Sequence, residues 1–184
     1  INNFQVIIPE KVLNELTKIL SDEGTCKISI ASSKNQIFFK IDEIEIMSSL
    51  LEGKFPSYDA VIPKSFDYNI TLDNFAFSDS IKRVSNMSDA ESRRIRIKIN
   101  NDKLEVSSIN PDMGEAKDEL EIDFSGDEME IGFNYEFMLT TLREIDNKKI
   151  VMELNSNREP VLLKGLDEEN YLFIIMPMKL PEEE

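Results

Sequence analysis

The chain has 184 residues, of which 41% are apolar, so it is long enough for one or two domains with a buried core. Its formal net charge of -15 disfavours free binding to nucleic acid, because such binding depends on lysine and arginine displacing counterions. There is no histidine and a single cysteine, Cys26, which excludes Ser-His-Asp and Cys-His catalysis, histidine metal sites and an internal disulfide. The lone cysteine fits a reducing, cytoplasmic setting, and no apolar run is long enough to predict a membrane span.

The same order of elements is predicted three times along the chain. The first unit opens with an apolar strand at residues 6–8 and continues with an amphipathic helix from Pro9. The second opens at Tyr68, with Asp73 as the expected N-cap of its helix, and the third opens at Met129, with Asn134 as the N-cap. The helices begin near residues 9, 73 and 134, which indicates an internal repeat of about 60 residues.

Each helix is followed by three predicted strands. They cover residues 26–30, 36–41 and 44–47 in the first unit, 94–99, 103–106 and 119–124 in the second, and 150–154, 160–163 and the terminal run in the third. The predicted apolar stripes are Phe75, Phe77, Ile81, Val84 and Met87 on the second helix, and Phe137, Met138, Leu139 and Leu142, extended by Ile145, on the third. No unit buries its helix and sheet alone, so we expect an α+β fold with helices packed on antiparallel sheets. Two units should close into a domain, and the first, left without a mate, should self-associate or be partly mobile.

The apolar run 171–180 predicts a strand covered on both faces that is interrupted at Pro177. Met178 and Leu180 still need apolar cover beyond the break. This pattern indicates a surface groove, lined by flexible sulfur side chains, that accepts apolar residues of a partner. A last core strand with two frayed residues remains the alternative.

Three segments stand in order on this repeat: LEGKFPSY at 51–58, GDEMEIGFN at 126–134 and IMPMKL at 175–180. Together they resemble the bacterial sliding clamp, the beta subunit of DNA polymerase III, and the resemblance extends to residue 180. It implies a homodimeric ring with helices around the hole and sheets outside, which holds the replicative polymerase on duplex DNA and is not an enzyme. Residues 1–64 would then be the second half of the middle domain, 65–180 the C-terminal domain, and 181–184 an acidic tail.

The resemblance also implies three sets of functional residues and no cofactor. A groove for short linear motifs of polymerases, the clamp loader and repair proteins would be lined by Pro56, Val61, Asn134, Phe137, Arg158, Pro160, Ile174, Ile175, Met176, Pro177, Met178 and Leu180. The residues expected to face DNA are Lys11, Lys18, Lys82, Arg83 and Arg143. The residues expected to form the contact between two subunits are Asn86, Met87, Asp112 and Glu115.

Two other classes of function remain open. Glu119, Glu121 and Asp123 share one face of a predicted strand, and such carboxylates suit a metal-dependent hydrolase or nuclease. The strand pattern favours an exposed charged face instead, and no nucleophile motif accompanies it. The remaining class is an acidic adaptor that binds peptides but does not act on DNA.

Overall fold

The computed structural model describes residues 4–20, 26–55 and 57–181. The chain divides into two units, Ile1–Ser57 and Tyr58–Glu184. Helices and antiparallel sheets recur in both units, which confirms the α+β fold expected from the sequence.

The first unit is one helix on a three-stranded sheet. Its elements are α1 (Glu10–Ile19), β1 (Ile28–Ser32), β2 (Gln36–Ile41) and β3 (Ile44–Ser49), and the sheet order is β1-β2-β3. The core consists of Leu16 from α1 with Ile37, Phe39 and Ile41 from β2. The strand predicted at residues 6–8 is reduced to a single bridge between Ile7 and Leu51.

The second unit has two helices and two four-stranded sheets. Its elements are β4 (Tyr68–Asp73), α2 (Asn74–Ser85), β5 (Arg94–Ile99), β6 (Lys103–Asn110), β7 (Gly114–Glu121), β8 (Met129–Asn134), α3 (Tyr135–Glu144), β9 (Lys149–Leu154), β10 (Val161–Gly165) and β11 (Phe173–Ile175). The β4 sheet has the order β11-β10-β9-β4, and the β5 sheet has the order β7-β6-β5-β8. Each repeat therefore gives its opening strand to the sheet of the other repeat, because β4 pairs with β9 and β8 pairs with β5.

One hydrophobic core is shared by both sheets and both helices of this unit. The strict alternation of β5 shows how the sequence builds it, since Ile95, Ile97 and Ile99 are fully buried while the basic residues between them lie on the outer face. The two helices are also joined end to end. The side-chain amide of Asn74, the first residue of α2, donates to the carbonyl of Ile145 just after α3 at 2.8 Å.

The two helix starts confirm the predicted caps. Asp73 Oδ1 accepts a hydrogen bond from Ala76 N at 2.9 Å, and Asn134 Oδ1 accepts one from Glu136 N at 2.9 Å. The predicted apolar stripes were wrong at two aromatic residues, because Phe75 is 78% and Phe137 65% exposed. Phe75 lies about 200° around α2 from the fully buried Phe77 and so faces away from the core. Phe137 precedes the first buried residue of α3, Met138.

Two predicted boundaries also differ. The strand expected at 119–124 is Gly114–Glu121, because the hairpin from β6 keeps its register back to the pair Asn110–Gly114. Ile145 does not extend α3 by a further turn. It follows Glu144 in an extended conformation and is nonetheless buried, at 3% exposure.

Candidate functional site

The last described residues join the two sheets of the second unit. In β11, Ile175 lies opposite Val161 of β10, and the chain leaves this sheet at Pro177, which has no N–H to donate. The N–H of Met178 then donates to the carbonyl of Gly132 in β8 at 2.7 Å. We call residues 176–180 the C-terminal strap, because they run from the edge of the β4 sheet to the edge of the β5 sheet.

Three successive strap residues are held in place by the β5 sheet. A Cβ atom on Gly132 would lie 2.7 Å from the carbonyl oxygen of Met178 and 2.8 Å from Cδ2 of Leu180, so only glycine lets the strap approach this closely. Arg94 Nη1 donates to the carbonyl oxygen of Lys179 at 2.8 Å. The strap therefore has a defined path, and its side chains have fixed neighbours.

The burial of the chain end corrects one expectation. The break at Pro177 is confirmed, but the strand before it has only three residues, Phe173–Ile175, and is not covered on both faces. Ile175 is buried at 6% exposure, whereas Ile174 is half-buried and Leu172 is 43% exposed. Solvent-facing apolar surface next to β11 is the property required of a peptide groove.

The structure brings several of the predicted groove residues to this surface. α3 contacts β11, and the strap is bridged to Gly132 of β8, the strand that ends at Asn134 just before α3. Asn134 fixes the first turn of α3 by accepting hydrogen bonds from Glu136 N and Phe137 N. Phe137 and Met176 are 65% and 56% exposed, which leaves an aromatic ring and a thioether available to a ligand.

Other predicted groove residues lie on neighbouring segments. Val61 follows a short 3-10 turn at Tyr58–Ala60 and is 47% exposed. Arg158 is exposed, and Pro160 is half-buried immediately before β10. Pro56 lies outside the described residues. Leu172, which directly precedes β11, was not predicted from the sequence, although its place in the apolar run was the available signal.

The helical surface of the second unit carries cations that have no carboxylate partner among the described residues. Lys82 on α2, Arg143 on α3 and Lys148 after α3 line one open cavity of about 640 Å³ together with Phe75. Within the described part of the chain, none of these three cations forms a side-chain ion pair or hydrogen bond. Asp73 and Asp146 line the same cavity, so its three unpaired cations exceed its carboxylates by one.

Arg83 on the same helix is engaged differently. It pairs with Asp79 and, at 2.5 Å, with Asp118. The hydrogen bond from Arg83 to Asp118 raises the pKa of Arg83. Because Asp118 belongs to β7, Arg83, which was predicted to face DNA, links α2 to β7.

Several lysines of the β-sheets are paired with carboxylates. Lys98 lies 2.7 Å from Glu128, Lys117 3.0 Å from Glu115, and Lys164 3.2 Å from Glu153. The pKa values of Lys98 and Lys117 are raised by hydrogen bonds to their carboxylate partners. These three lysines are therefore less available to a ligand than the three unpaired cations of the helical surface.

In the first unit, both predicted DNA-facing residues belong to α1 and are exposed. Lys18 pairs with Glu15 at 2.8 Å, and this hydrogen bond lowers the pKa of Glu15. Lys11 has no ion pair among the described residues. The helix therefore offers one cation that its own carboxylates do not neutralise.

The residues predicted to contact a second subunit lie at one end of the β5 sheet. Asn86 ends α2, where its amide donates to the carbonyl of Lys82 at 3.2 Å, and Met87 follows it. Asp112 and Glu115 are exposed in and after the β6–β7 turn. The hydroxyl of Ser108 in β6 donates to the carbonyl of Val84 near the end of α2, so the end of this helix lies beside the strand that leads into the β6–β7 turn.

The same hairpin exposes two apolar residues that the sequence did not single out. Ile109 and Met113 are 55% and 62% exposed. β7 is the outermost strand of its sheet, so its outer edge is open to pairing. Apolar side chains beside an open strand edge are suited to contact with another protein.

Two other findings concern classes of function. No group of three or more His, Cys, Asp or Glu side chains is placed to hold a metal ion within residues 4–20, 26–55 and 57–181. Among the helices of these residues, none is long and apolar enough to cross a membrane.

Both units of the chain match known proteins. The family model of the C-terminal domain of the DNA polymerase III beta subunit matches residues 59–179, and that of the central domain matches residues 1–57. The beta sliding clamps of Staphylococcus aureus and Staphylococcus epidermidis are each 32% identical over 179 residues, covering 96% of this chain and 47% of theirs.

Solved structures agree with these relatives. The Pseudomonas aeruginosa sliding clamp bound to griselimycin superposes with a TM-score of 0.91 at 28% identity, covering 97% of this chain and 48% of that one. The Bartonella birtlesii clamp bound to griselimycin gives 0.90 at 31% identity, covering 95% of this chain and 47% of that one.

The repeated units, the exchanged opening strands and the strap therefore define a clamp-fold protein of the sliding clamp class. This chain belongs to the DNA polymerase III beta subunit family, as the three sequence segments predicted. It spans about half the length of the curated relatives that it matches.

Proposed function

We propose that this chain is the partner-binding half of a sliding clamp protomer, which encircles duplex DNA as part of a homodimeric ring and increases the processivity of a polymerase. The observation that carries the proposal is the C-terminal strap, which is held by Gly132 and Arg94 beside the exposed side chains of Phe137 and Met176. A preformed apolar surface beside a fixed backbone suits a short linear motif with a few apolar anchors.

The domain assignment is part of this proposal. Residues 1–64 are assigned to the second half of the middle domain and residues 65–180 to the complete C-terminal domain. The pairing of two repeats in the second unit and the isolation of one repeat in the first unit support a division into two domains, and the two structural units meet between Ser57 and Tyr58. The open edge of β7, with Asn86, Met87, Asp112 and Glu115 nearby, is assigned to contact with the next protomer of the ring.

The groove is assigned to the residues that the sequence predicted, with Leu172 added. Exposed Met176 and half-buried Met178 provide flexible walls that adapt to different partners, such as polymerases, the clamp loader and repair proteins. Binding a peptide in this groove requires no catalytic step. The proposed role is therefore that of a non-enzymatic, cytoplasmic protein that binds the peptides of its partners.

The contact with DNA is assigned to the helices. Among the described residues, a chain with net charge -15 leaves Lys82, Arg143 and Lys148 unpaired on one helical surface, while several lysines of its sheets are paired with carboxylates. A ring holds DNA by topology, so a mildly positive inner face is sufficient and an acidic exterior limits non-specific binding. This uneven distribution of paired cations favours a clamp over an acidic adaptor that never acts on DNA.

A fluorescence-anisotropy titration tests the groove. The probe is a labelled pentapeptide of the clamp-binding type, with apolar residues at its C-terminal end. We expect saturable binding that is weakened about tenfold in Met176→Ala and Met178→Ala, since each change removes a large part of an apolar contact. The matched control is Met113→Ala, which removes an equally flexible side chain, 62% exposed, from the β6–β7 turn.

Equal loss in all three variants would contradict the location of the groove. Absence of binding, both in this chain and in a chain extended to the full length of its relatives, would overturn the proposed function.

A further inference from the structure

A second cavity borders the strap on the outer face of the β5 sheet. It measures about 360 Å³, and its lining includes Arg94, Arg96, Ser107, Ile109 and Leu180. Leu180 is also a predicted groove residue, so the cavity and the proposed groove share the end of the strap. Its position beside the strap makes it accessible to a peptide that continues beyond the groove.

The two arginines are placed by strand geometry. Arg94 and Arg96 are two residues apart on β5 and therefore share one face, where they lie opposite Asn134 and Gly132 of β8. Arg94 is oriented by its hydrogen bond to the carbonyl of Lys179. Arg96 is 18% exposed and lies 3.5 Å from Glu130, so its guanidinium is held close to the sheet.

The cavity combines this positive charge with apolar walls. Ile109, Pro111 and Leu180 supply the apolar part, and Ser92 and Ser107 supply hydroxyls. Asp89 is the acidic residue of the lining, and its carboxylate accepts a hydrogen bond from Ser92 N at 2.7 Å. That bond and the charge of Arg94 lower the pKa of Asp89. The lining therefore holds two guanidinium groups and one carboxylate, and Arg96 also faces Glu130, which lies outside the lining.

We propose that this cavity is an accessory subsite for an acidic side chain, aspartate or glutamate, that flanks the linear motif of a partner peptide. The inference rests on the proposed function, because the motif itself must bind in the groove. Two N–H groups of an arginine guanidinium can donate to the two oxygens of one carboxylate. The apolar walls contact the methylene groups of the same acidic side chain. The subsite thereby selects among partners by the charge next to their motif.

The test compares labelled peptides that share one core motif. One set carries two glutamates at the N-terminal or the C-terminal end, and a second set carries two glutamines at the same ends. We expect the glutamate peptide to bind about twofold to fivefold more tightly than its glutamine counterpart at one of the two ends, because partly exposed ion pairs give gains of this size. The gain should fall at high salt.

Variants on one strand assign the gain to the cavity. Arg96→Gln should remove the preference for glutamate and leave the binding of the core peptide unchanged. Lys98→Gln is the matched control, because Lys98 lies two residues further on the same face of β5, pairs with Glu128 and does not line the cavity. All titrations are repeated in a chain carrying Glu182→Gln, Glu183→Gln and Glu184→Gln, since these acids follow the strap in sequence and carry the same charge as the glutamates of the peptide.

The subsite is supported if Arg96→Gln abolishes the preference for glutamate and Lys98→Gln preserves it, either with or without the three substitutions at residues 182–184. Binding of the core peptide with no glutamate preference in both backgrounds overturns the subsite and leaves the proposed function intact. Failure of the core peptide to bind removes the proposed function and the subsite with it.

Discussion

The backbone N–H of Met178 donates to the carbonyl of Gly132 at 2.7 Å, and this bond attaches the end of the chain to a sheet that its preceding strand does not belong to. The contact depends on the absence of a side chain at Gly132 and on the break in pairing at Pro177. The position of the proposed groove is therefore decided by two residues that contribute almost no binding surface of their own.

Gly132→Ala should weaken peptide binding by about tenfold or more. The added Cβ meets the carbonyl of Met178 and the side chain of Leu180, so the strap must move, at a cost of about 1–3 kcal/mol in overpacking. Anisotropy with the pentapeptide measures the affinity, and thermal unfolding measures the stability. Gly165→Ala is the control, because its Cβ collides with Asn147 away from the strap. Equal losses of affinity in the two variants would contradict a role of Gly132 in placing the strap.

Neutralising the helical cations should reduce the residual binding of duplex DNA at low salt. The variant carries Lys82→Gln, Arg143→Gln and Lys148→Gln, and the slope of log K against log salt should decrease in magnitude by about 2–3 units if each cation contacts a phosphate. The control changes the net charge by the same amount through Lys103→Gln, Lys117→Gln and Lys164→Gln on the sheets. An identical loss in both variants would indicate that only net charge matters and would contradict the assignment of a DNA-facing surface.

Asp118 should make the stability of the second unit depend on pH in the acid range. Partial burial raises the pKa of its carboxyl, but hydrogen bonds and charge from Arg83 outweigh this and lower the pKa overall. A lowered folded-state pKa gives stability that is present above the unfolded value, near pH 4, and is lost as the pH falls through the folded value. Asp118→Asn should therefore lower Tm at pH 7 by about 2 °C, with the difference vanishing well below pH 4.

The control for Asp118→Asn is Asp112→Asn, an exposed carboxylate at the adjacent turn with no ion pair among the described residues. Thermal unfolding from pH 7 down to pH 2 measures both variants. A difference between Asp118→Asn and the unsubstituted chain that stays constant over this range would show that the carboxylate charge is not responsible.

The isolated repeat should associate with itself. Ile30 lies opposite Phe39 on the face of the sheet that α1 covers, yet Ile30 is 51% exposed and Phe39 only 5%, because the helix reaches β2 and not β1. Sedimentation velocity should show a mass that rises with concentration, and Ile30→Lys should suppress this rise. Met47→Lys is the control, since Met47 is 62% exposed on the opposite face. Equal suppression by both changes would contradict association through the open face.

Much of the fold was accessible from the sequence because its signals are local. The alternation of isoleucine with basic residues predicted β5, and the polar residues Asp73 and Asn134 before apolar stripes predicted both helix starts. Repeats and short segments together predicted the family. These signals depend on neighbouring residues, so they are present in the sequence before any tertiary contact forms.

The exchange of opening strands between the two repeats was not predictable in this way. β4 pairs with β9 and β8 pairs with β5, and no residue pattern within a strand encodes which of two similar sheets it will join. The exposure of Phe75 and Phe137 was missed for another reason, because both were counted in the apolar stripe of a helix, although Phe75 and Phe77 are two residues apart and do not share one face. The accessory cavity likewise arises from segments that are more than 80 residues apart, Arg94 and Lys179 among them.

The strap also has a consequence for the order of events during protein synthesis. Domains fold as the chain emerges from its N-terminal end, and the strap follows every other element of the second unit. A ribosome that stalls before Met178 releases a chain with the exposed faces of its helices but without the bond between its two sheets. A partner that binds the proposed groove beside the strap therefore recognises only chains that have been translated past Met178. Chains truncated before Met178 do not compete for that partner.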